Sequence, residues 1–266
     1  MKIDQPIGVF DSGIGGLTVA KALVEALPNE SIVYFGDTVH LPYGDKSPHT
    51  IKNYTKEIVN FLLAQNVKLI LIACNSASAA AYEVLQDYIG THTLLINVID
   101  PVICFLSKNY SHKRIGLIGT KLTIDSEVYR KKLVSQEREI DLCALATPLL
   151  VPIIEEGFFE HRIIDVALSL YLSNPVLQDI EALVLGCTHY PIIKTKIENF
   201  YRNKVEVIDT TKIVASAVEH KLTAKKLLSS SLPQHSFYVS DYTANFAHQT
   251  RLFFGEEVAV KALEIF

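Results

Sequence analysis

The sequence predicts an α/β protein of two similar lobes, each with a mostly parallel central sheet, related by a pseudo-two-fold axis with the active site in the cleft between them. Three observations carry this expectation. Short apolar runs alternate with amphipathic stretches, the pattern of parallel α/β units. Two parts of the chain share one layout, Ile7-Gly8-Val9-Phe10-Asp11-Ser12-Gly13 matching Ile115-Gly116-Leu117-Ile118-Gly119-Thr120-Lys121 as an apolar strand that ends in small polar residues. Further along each part, Leu69-Ile70-Leu71-Ile72-Ala73-Cys74-Asn75-Ser76 and Ala182-Leu183-Val184-Leu185-Gly186-Cys187-Thr188-His189 place a cysteine at a strand end, before polar residues that can cap a helix.

In chain order, Ile7 to Phe10, Ser31 to Phe35, Leu69 to Ala73, Leu94 to Val98, Ile115 to Ile118, Leu183 to Leu185 and Val205 to Ile208 read as strands. They are continuous apolar runs because a parallel strand is covered on both faces. Leu17 to Leu27, Thr50 to Gln65, Ser76 to Ile89, Ile124 to Val134, Ile163 to Leu172 and Ile192 to Tyr201 read as helices. In the second of these, Ile51, Tyr54, Thr55, Ile58, Phe61 and Leu62 fall on one face at helical spacing. Pro28-Asn29, Gly90 and Ser173-Asn174-Pro175 mark helix ends. The tail from about residue 210 is helix-rich and is expected to pack back on the first lobe. This divides the chain into a first lobe of residues 1–97 plus 210–266, carrying Asp11 and Cys74, and a second of residues 98–209, carrying Cys187.

Composition excludes several classes of function. With 266 residues, 49% hydrophobic and 20% charged, the chain can bury a large core and is not disordered. A formal charge of -4 offers no general attraction for nucleic acid or anionic lipid, so neither is expected as a partner. The apolar run Leu69 to Cys74 is far short of the roughly 18 residues of a membrane span. The strand-like Ile7 to Phe10 comes too early to leave room for a signal peptide, so the cytoplasm is expected. Cysteines at 74, 104, 143 and 187 form no CxxC pair and no zinc-like cluster, so free thiols are expected and no metal.

Ligands of open α/β sheets bind beyond the carboxyl ends of strands, which puts Cys74 and Cys187 in binding crevices. If the two lobes face each other, so do the thiols. Two thiols across a cleft suit removal of a proton from one face of a carbon and its replacement from the other. That chemistry needs a thiolate, and a free cysteine with a pKa of about 8.5 is mostly thiol at neutral pH. A helix N-terminus expected after each cysteine would favour the charged form. Asp11 and His189 are nearby candidates for carrying protons. Cys104 and Cys143 lack such flanks and read as packing thiols.

The chain resembles the glutamate racemase family through five motifs in order: Asp11-Ser12-Gly13-Ile14-Gly15-Gly16-Leu17; Gly36-Asp37-Thr38 with Pro42-Tyr43-Gly44; Ala73-Cys74-Asn75-Ser76-Ala77; Val151-Pro152 with Glu155-Glu156; and Gly186-Cys187-Thr188-His189-Tyr190-Pro191. The resemblance implies cofactor-independent interconversion of L- and D-glutamate, the D form feeding peptidoglycan synthesis. It implies that Cys74 and Cys187 are the two acid/base thiols, with Asp11, Glu155 and His189 as auxiliary proton-handling groups. It also implies substrate contacts from Asp11, Ser12, Tyr43, Gly44, Asn75, Ser76, Thr188 and His189, and a possible homodimer. Hydroxyls, the Asn75 amide and backbone N–H groups can hold two carboxylates without an arginine. Asp11 could instead accept from the substrate ammonium.

This chain departs from the family at two of these places. Ser76 stands where threonine is usual, which keeps the hydroxyl, and His40 stands where arginine is frequent, which puts in doubt the packing or charge of the loop before Tyr43. Alternatives remain open at the level of sequence. A racemase for aspartate would use the same chemistry, although Thr188-His189 leans towards glutamate. A two-lobed dicarboxylate-binding module with inert or redox-active thiols is the rival of another class. A hydrolase with one nucleophilic cysteine leaves the second thiol unexplained. Dinucleotide binding through Gly13 to Gly16 with Asp37 fails the fingerprint, because Thr18 sits where its last glycine is required.

Overall fold

The computed structural model describes residues 1–136, 139–242 and 246–266, without the side chains of 246–248. Among the described residues ten strands form: β1 Ile7–Asp11, β2 Ile32–Gly36, β3 Leu69–Ile72, β4 Leu94–Asn97, β5 Arg114–Gly119, β6 Asp141–Ala146, β7 Ala182–Gly186, β8 Glu206–Ile208, β9 Ser236–Val239 and β10 Val260–Ala262. They make two sheets, ordered β10-β9-β2-β1-β3-β4 and β6-β5-β7-β8. Every pairing in both is parallel. The run β2-β1-β3-β4 repeats as β6-β5-β7-β8, and the central pairs register Ile7 with Leu69 and Ile115 with Ala182. The two lobes foreseen from the matching strand layouts are therefore present, each with its cysteine just past the carboxyl end of a central strand.

The helices are α1 Leu17–Ala26, α2 Pro48–Ala64, α3 Asn75–Ile89, α4 Ile99–Asn109, α5 Lys121–Asp125, α6 Val128–Ser135, α7 Leu150–Glu155, α8 Arg162–Leu172, α9 Lys194–Phe200, α10 Thr211–Lys225 and α11 Phe246–Phe254. The second begins where Ser47 accepts a hydrogen bond from the Thr50 N–H, with Pro48 at its first position, and buries Ile51, Thr55, Ile58, Val59 and Leu62. Tyr54 and Phe61 of its expected face are only half-buried.

Several local expectations are corrected. The single helix expected over 124–134 is two helices, because Glu127 takes a left-handed conformation at φ 56° and Ser126 caps the Val128 N–H. The helix expected from Ile192 opens as a 3-10 turn over Tyr190–Ile193 before α9. Strands β6, β9 and β10 and helices α4 and α7 were not foreseen. The tail does carry helices α10 and α11, but it also adds β9 and β10 beyond β2, extending the first sheet. At the opposite end of that sheet from the cysteines, Lys68 is buried with its Nζ 2.6 Å from Glu30 Oε2 and 2.8 Å from the Leu227 carbonyl. This ties the segment after α10 to the start of β3.

Candidate active site

The site forms where the carboxyl ends of the two sheets meet. Cys74 caps the N-terminus of α3: its Sγ accepts from the Ala77 N–H at 3.4 Å and lies 3.6 Å from Ser12 Oγ. Cys187 leaves β7 into the Thr188-His189 turn rather than into a helix, which corrects the expectation of a helix N-terminus behind each thiol. Its sulfur lies 3.7 Å from His189 Nδ1 instead, and His189 Nε2 lies 2.8 Å from Glu155 Oε1. Both sulfurs line one cavity, close enough that a charge on Cys187 raises the pKa of Cys74.

Of the residues named from sequence, Ser12, Tyr43, Gly44, Cys74, Asn75, Ser76, Cys187, Thr188 and His189 line that cavity. Asp11 and Glu155 stand behind the wall. The Asp11 carboxylate is fully buried and accepts from the Gly13 N–H at 3.0 Å and from Thr188 Oγ1 at 3.3 Å. Tyr43 faces the cavity, yet its hydroxyl is already committed, donating to Asp37 Oδ2 at 2.6 Å. It therefore offers the cavity a ring and a backbone N–H. His40, in the place where arginine is frequent in the family, lies 2.9 Å from both Asp37 oxygens. Cys143 is buried on β6 as expected, but Cys104, read as a packing thiol, is exposed on α4.

Sequence reasoning missed several contributors. Thr120, Lys121 and Thr147 line the cavity from the second lobe. Thr120 Oγ1 lies 2.8 Å from Ser76 Oγ and 3.0 Å from Thr123 Oγ1, a hydroxyl cluster that crosses the cleft. Tyr129 donates to Asn75 Oδ1 at 2.8 Å, which turns the amide N–H groups of Asn75 free of that bond. The repeat offered a signal for Thr120, since it ends the strand equivalent to the one before Ser12. Nothing local in sequence marks Tyr129 as a partner of Asn75.

The glycines of the 13–16 loop have steric reasons. A Cβ on Gly15 would sit 2.4 Å from His189 Cε1, and one on Gly16 would sit 2.5 Å from Asp11 Cβ. Thr18, the residue that breaks the dinucleotide fingerprint, donates to the Gly15 carbonyl at 2.9 Å and the Thr188 carbonyl at 3.0 Å. The loop is thus spent on packing the Asp11 and Cys187 segments together.

The electrostatics differ between the two sides. Burial, then the charge of Asp11, pushes the Cys74 thiol up to about 12, against the favourable Ala77 N–H and Ser12. Burial also raises the Asp11 carboxyl, opposed by His189, the N–H groups of Gly13 and Gly16, and Thr188. For His189 burial favours the neutral ring, but hydrogen bonds to Cys187 and Glu155 outweigh it and hold the imidazole well above its ordinary value. One side therefore keeps its proton on the Cys74 sulfur, and on the other side Cys187 faces an imidazole that favours its protonated form and is braced by a carboxylate.

Comparison with known proteins agrees with this arrangement. Residues 7–218 match the family described as Asp/Glu/Hydantoin racemase. The glutamate racemase of Chlorobaculum tepidum is 40% identical over 258 residues, 96% of this chain and 94% of that protein. That of Geobacter metallireducens is 39% identical, over 94% of this chain and 93% of its own. The crystal structure of glutamate racemase from Francisella tularensis in complex with D-glutamate superimposes with a TM-score of 0.92 at 37% identity, covering 99% of this chain and 98% of that one. With the match spanning both cysteines and the relatives covered almost end to end, the chain belongs to the Asp/Glu/hydantoin racemase family and groups within it with the glutamate racemases.

Proposed function

We propose that this protein is an isomerase that interconverts L- and D-glutamate by a two-thiol mechanism, with Cys74 and Cys187 as the acid/base pair. The observation that carries the reading is that the two cysteines line one cavity from the carboxyl ends of two different sheets. A thiolate on one side takes the α-proton, leaving its electron pair on the α-carbon and the adjoining carboxylate. The thiol on the other side then gives its proton to the opposite face, so the configuration inverts and the two sulfurs exchange protonation states. The proton is the only species transferred, with no net oxidation or reduction.

The surrounding residues supply what each half-step needs. On the Cys187 side, His189 accepts the thiol proton and Glu155 stabilises the resulting imidazolium. On the Cys74 side the resting form is the thiol, and Asp11, whose own affinity for a proton is raised, is the auxiliary group. Donors from Ser12, Asn75, Ser76, Thr188 and the N–H groups of Tyr43 and Gly44 hold the two carboxylates, with Thr120 adding a hydroxyl from the second lobe. The same reading divides the chain into lobes 1–97 plus 210–266 and 98–209. It assigns the protein to the cytoplasm, as a supplier of D-glutamate for peptidoglycan, with a homodimer as a possible assembly.

The test is proton NMR of L-glutamate with the protein in deuterated buffer without added cofactor, alongside Cys74→Ser and Cys187→Ser. Loss of the α-proton signal with accumulation of D-glutamate, and no racemisation by either variant, is the expected result. Exchange with aspartate in place of glutamate would keep the chemistry and change the substrate. Exchange with neither would overturn the reading.

A further inference from the structure

We propose that His40 is a positioning residue for substrate binding, acting through Asp37 on the Tyr43–Gly44 segment. The inference rests on the glutamate racemase reading above. Asp37 is fully buried and gathers three donors on two oxygens: Tyr43 Oη at 2.6 Å, Ser240 Oγ at 3.0 Å and His40 Nδ1 at 2.9 Å. A carboxylate only accepts, so Nδ1 carries the hydrogen in this contact. The donors come from the loop that carries the substrate contacts and from the end of β9, which enters the first sheet beside β2. Asp37 is therefore the knot that joins this loop to the sheet.

His40 is held for this task on its other faces. Its ring stacks on Tyr54 of α2 with centroids 3.8 Å apart and planes 16° apart, and the Phe266 ring meets it edge-on at 4.5 Å. The neighbouring Val39 N–H donates to Ser240 Oγ at 2.9 Å, so the ring reaches Asp37 from an anchored backbone. Downstream, the 3-10 turn Tyr43–Asp45 begins at the cavity wall, and its first N–H groups have no acceptor within the turn. Those N–H groups can serve a substrate carboxylate only if the turn is held at one distance from Cys74. Gly44 is also pressed against the other lobe, where a Cβ would sit 2.7 Å from Thr120 Cβ, so a small displacement of the turn changes the cleft directly. His40 is not among the residues that line the cavity, and its effect passes through Asp37 and the Tyr43 phenol.

The hydrogen bond and the ring stack can be separated by substitution. His40→Phe keeps a ring against Tyr54 and removes the donor, whereas His40→Asn keeps a donor close to the Nδ1 position and removes the stack. Steady-state kinetics in both directions and thermal melting are measured for wild type and both variants. For His40→Phe we expect KM for both enantiomers to rise about tenfold, kcat to stay within about twofold, and Tm to stay near wild type. For His40→Asn we expect a near-native KM with a lowered Tm. A native KM in His40→Phe, a tenfold rise in His40→Asn, or KM values that simply follow Tm across the series would overturn the inference. If His40→Phe fails to fold, the KM of His40→Asn still decides it. A wild-type protein that turns over no glutamate fails the parent reading instead, and that outcome is visible before any variant is examined.

Discussion

At the scale of single residues, the site is built at the expense of stability, and this is open to measurement. Asp11 is buried with its carboxyl pushed up by desolvation, so the folded state holds its proton to higher pH than the unfolded chain does. Above the elevated folded value the charged form is a net cost, and below the ordinary 3.8 the cost is gone. Asp11→Asn should therefore melt higher than wild type at pH 7, lose racemase activity, and converge with wild type in stability at the acid end. Cys74 behaves alike at the other end of the scale. Its unfolded thiol ionises near the ordinary 9.0 while the folded one holds its proton to about 12, so folding stability should fall as pH rises through that window. Denaturant titrations from pH 8 upward should show Cys74→Ser losing less stability than wild type, and parallel curves would count against the burial account.

At the scale of elements, what the sequence made legible follows from how each element is covered. Strands β1, β3 and β7 are sandwiched by helices, so they are unbroken apolar runs that can be read directly. Strand β6 sits at a sheet edge with only Leu142 and Cys143 buried, and β10, at the far edge of the first sheet, is half to fully exposed, so neither leaves a strong pattern. The break between α5 and α6 turns on one left-handed residue, Glu127, which has no glycine or proline to announce it. The site is legible in the same graded way. Residues that follow a strand end directly, such as Ser12, Asn75 and Thr188, are found from motif and repeat together, whereas Tyr129 matters only because of Asn75, a partner distant in sequence. The loop from β1 to α1 offers a test at this scale. Gly15→Ala drives a methyl into His189 and should displace its ring from Cys187. A shift near 1 Å would lower kcat by about 100-fold, and a kcat near wild type would mean that the loop gives way instead.

At the scale of the whole molecule, the lobes meet through side chains that bridge the cleft: Ser76 to Thr120, Asn75 to Tyr129, and Asp11 and Thr18 to the Thr188 segment. At the rim Asp45 and Lys121 face each other at 3.8 Å, both more than half exposed, a pair too solvated to hold the lobes by itself. A dicarboxylate bound between these walls would give each lobe further partners and exclude water from the thiols. Small-angle scattering should therefore give a smaller radius of gyration with D-glutamate than without it. The same radius in both states would show that the lobes do not close on ligand.

The unequal settings of the two sulfurs, a helix N-terminus with Asp11 behind one and an imidazole braced by Glu155 behind the other, suggest a site biased towards one product. Thermodynamics forbids that bias. Mirror-image amino acids have equal free energies in water, so their equilibrium constant is one, and kcat/KM must be the same in the two directions whatever the residues do. The asymmetry can only redistribute each ratio between kcat and KM, and give the two directions different pH limbs. No substitution at His189, Asp11 or either cysteine can therefore turn this protein into a one-way converter, and the direction of net flow belongs to whatever reaction withdraws one enantiomer.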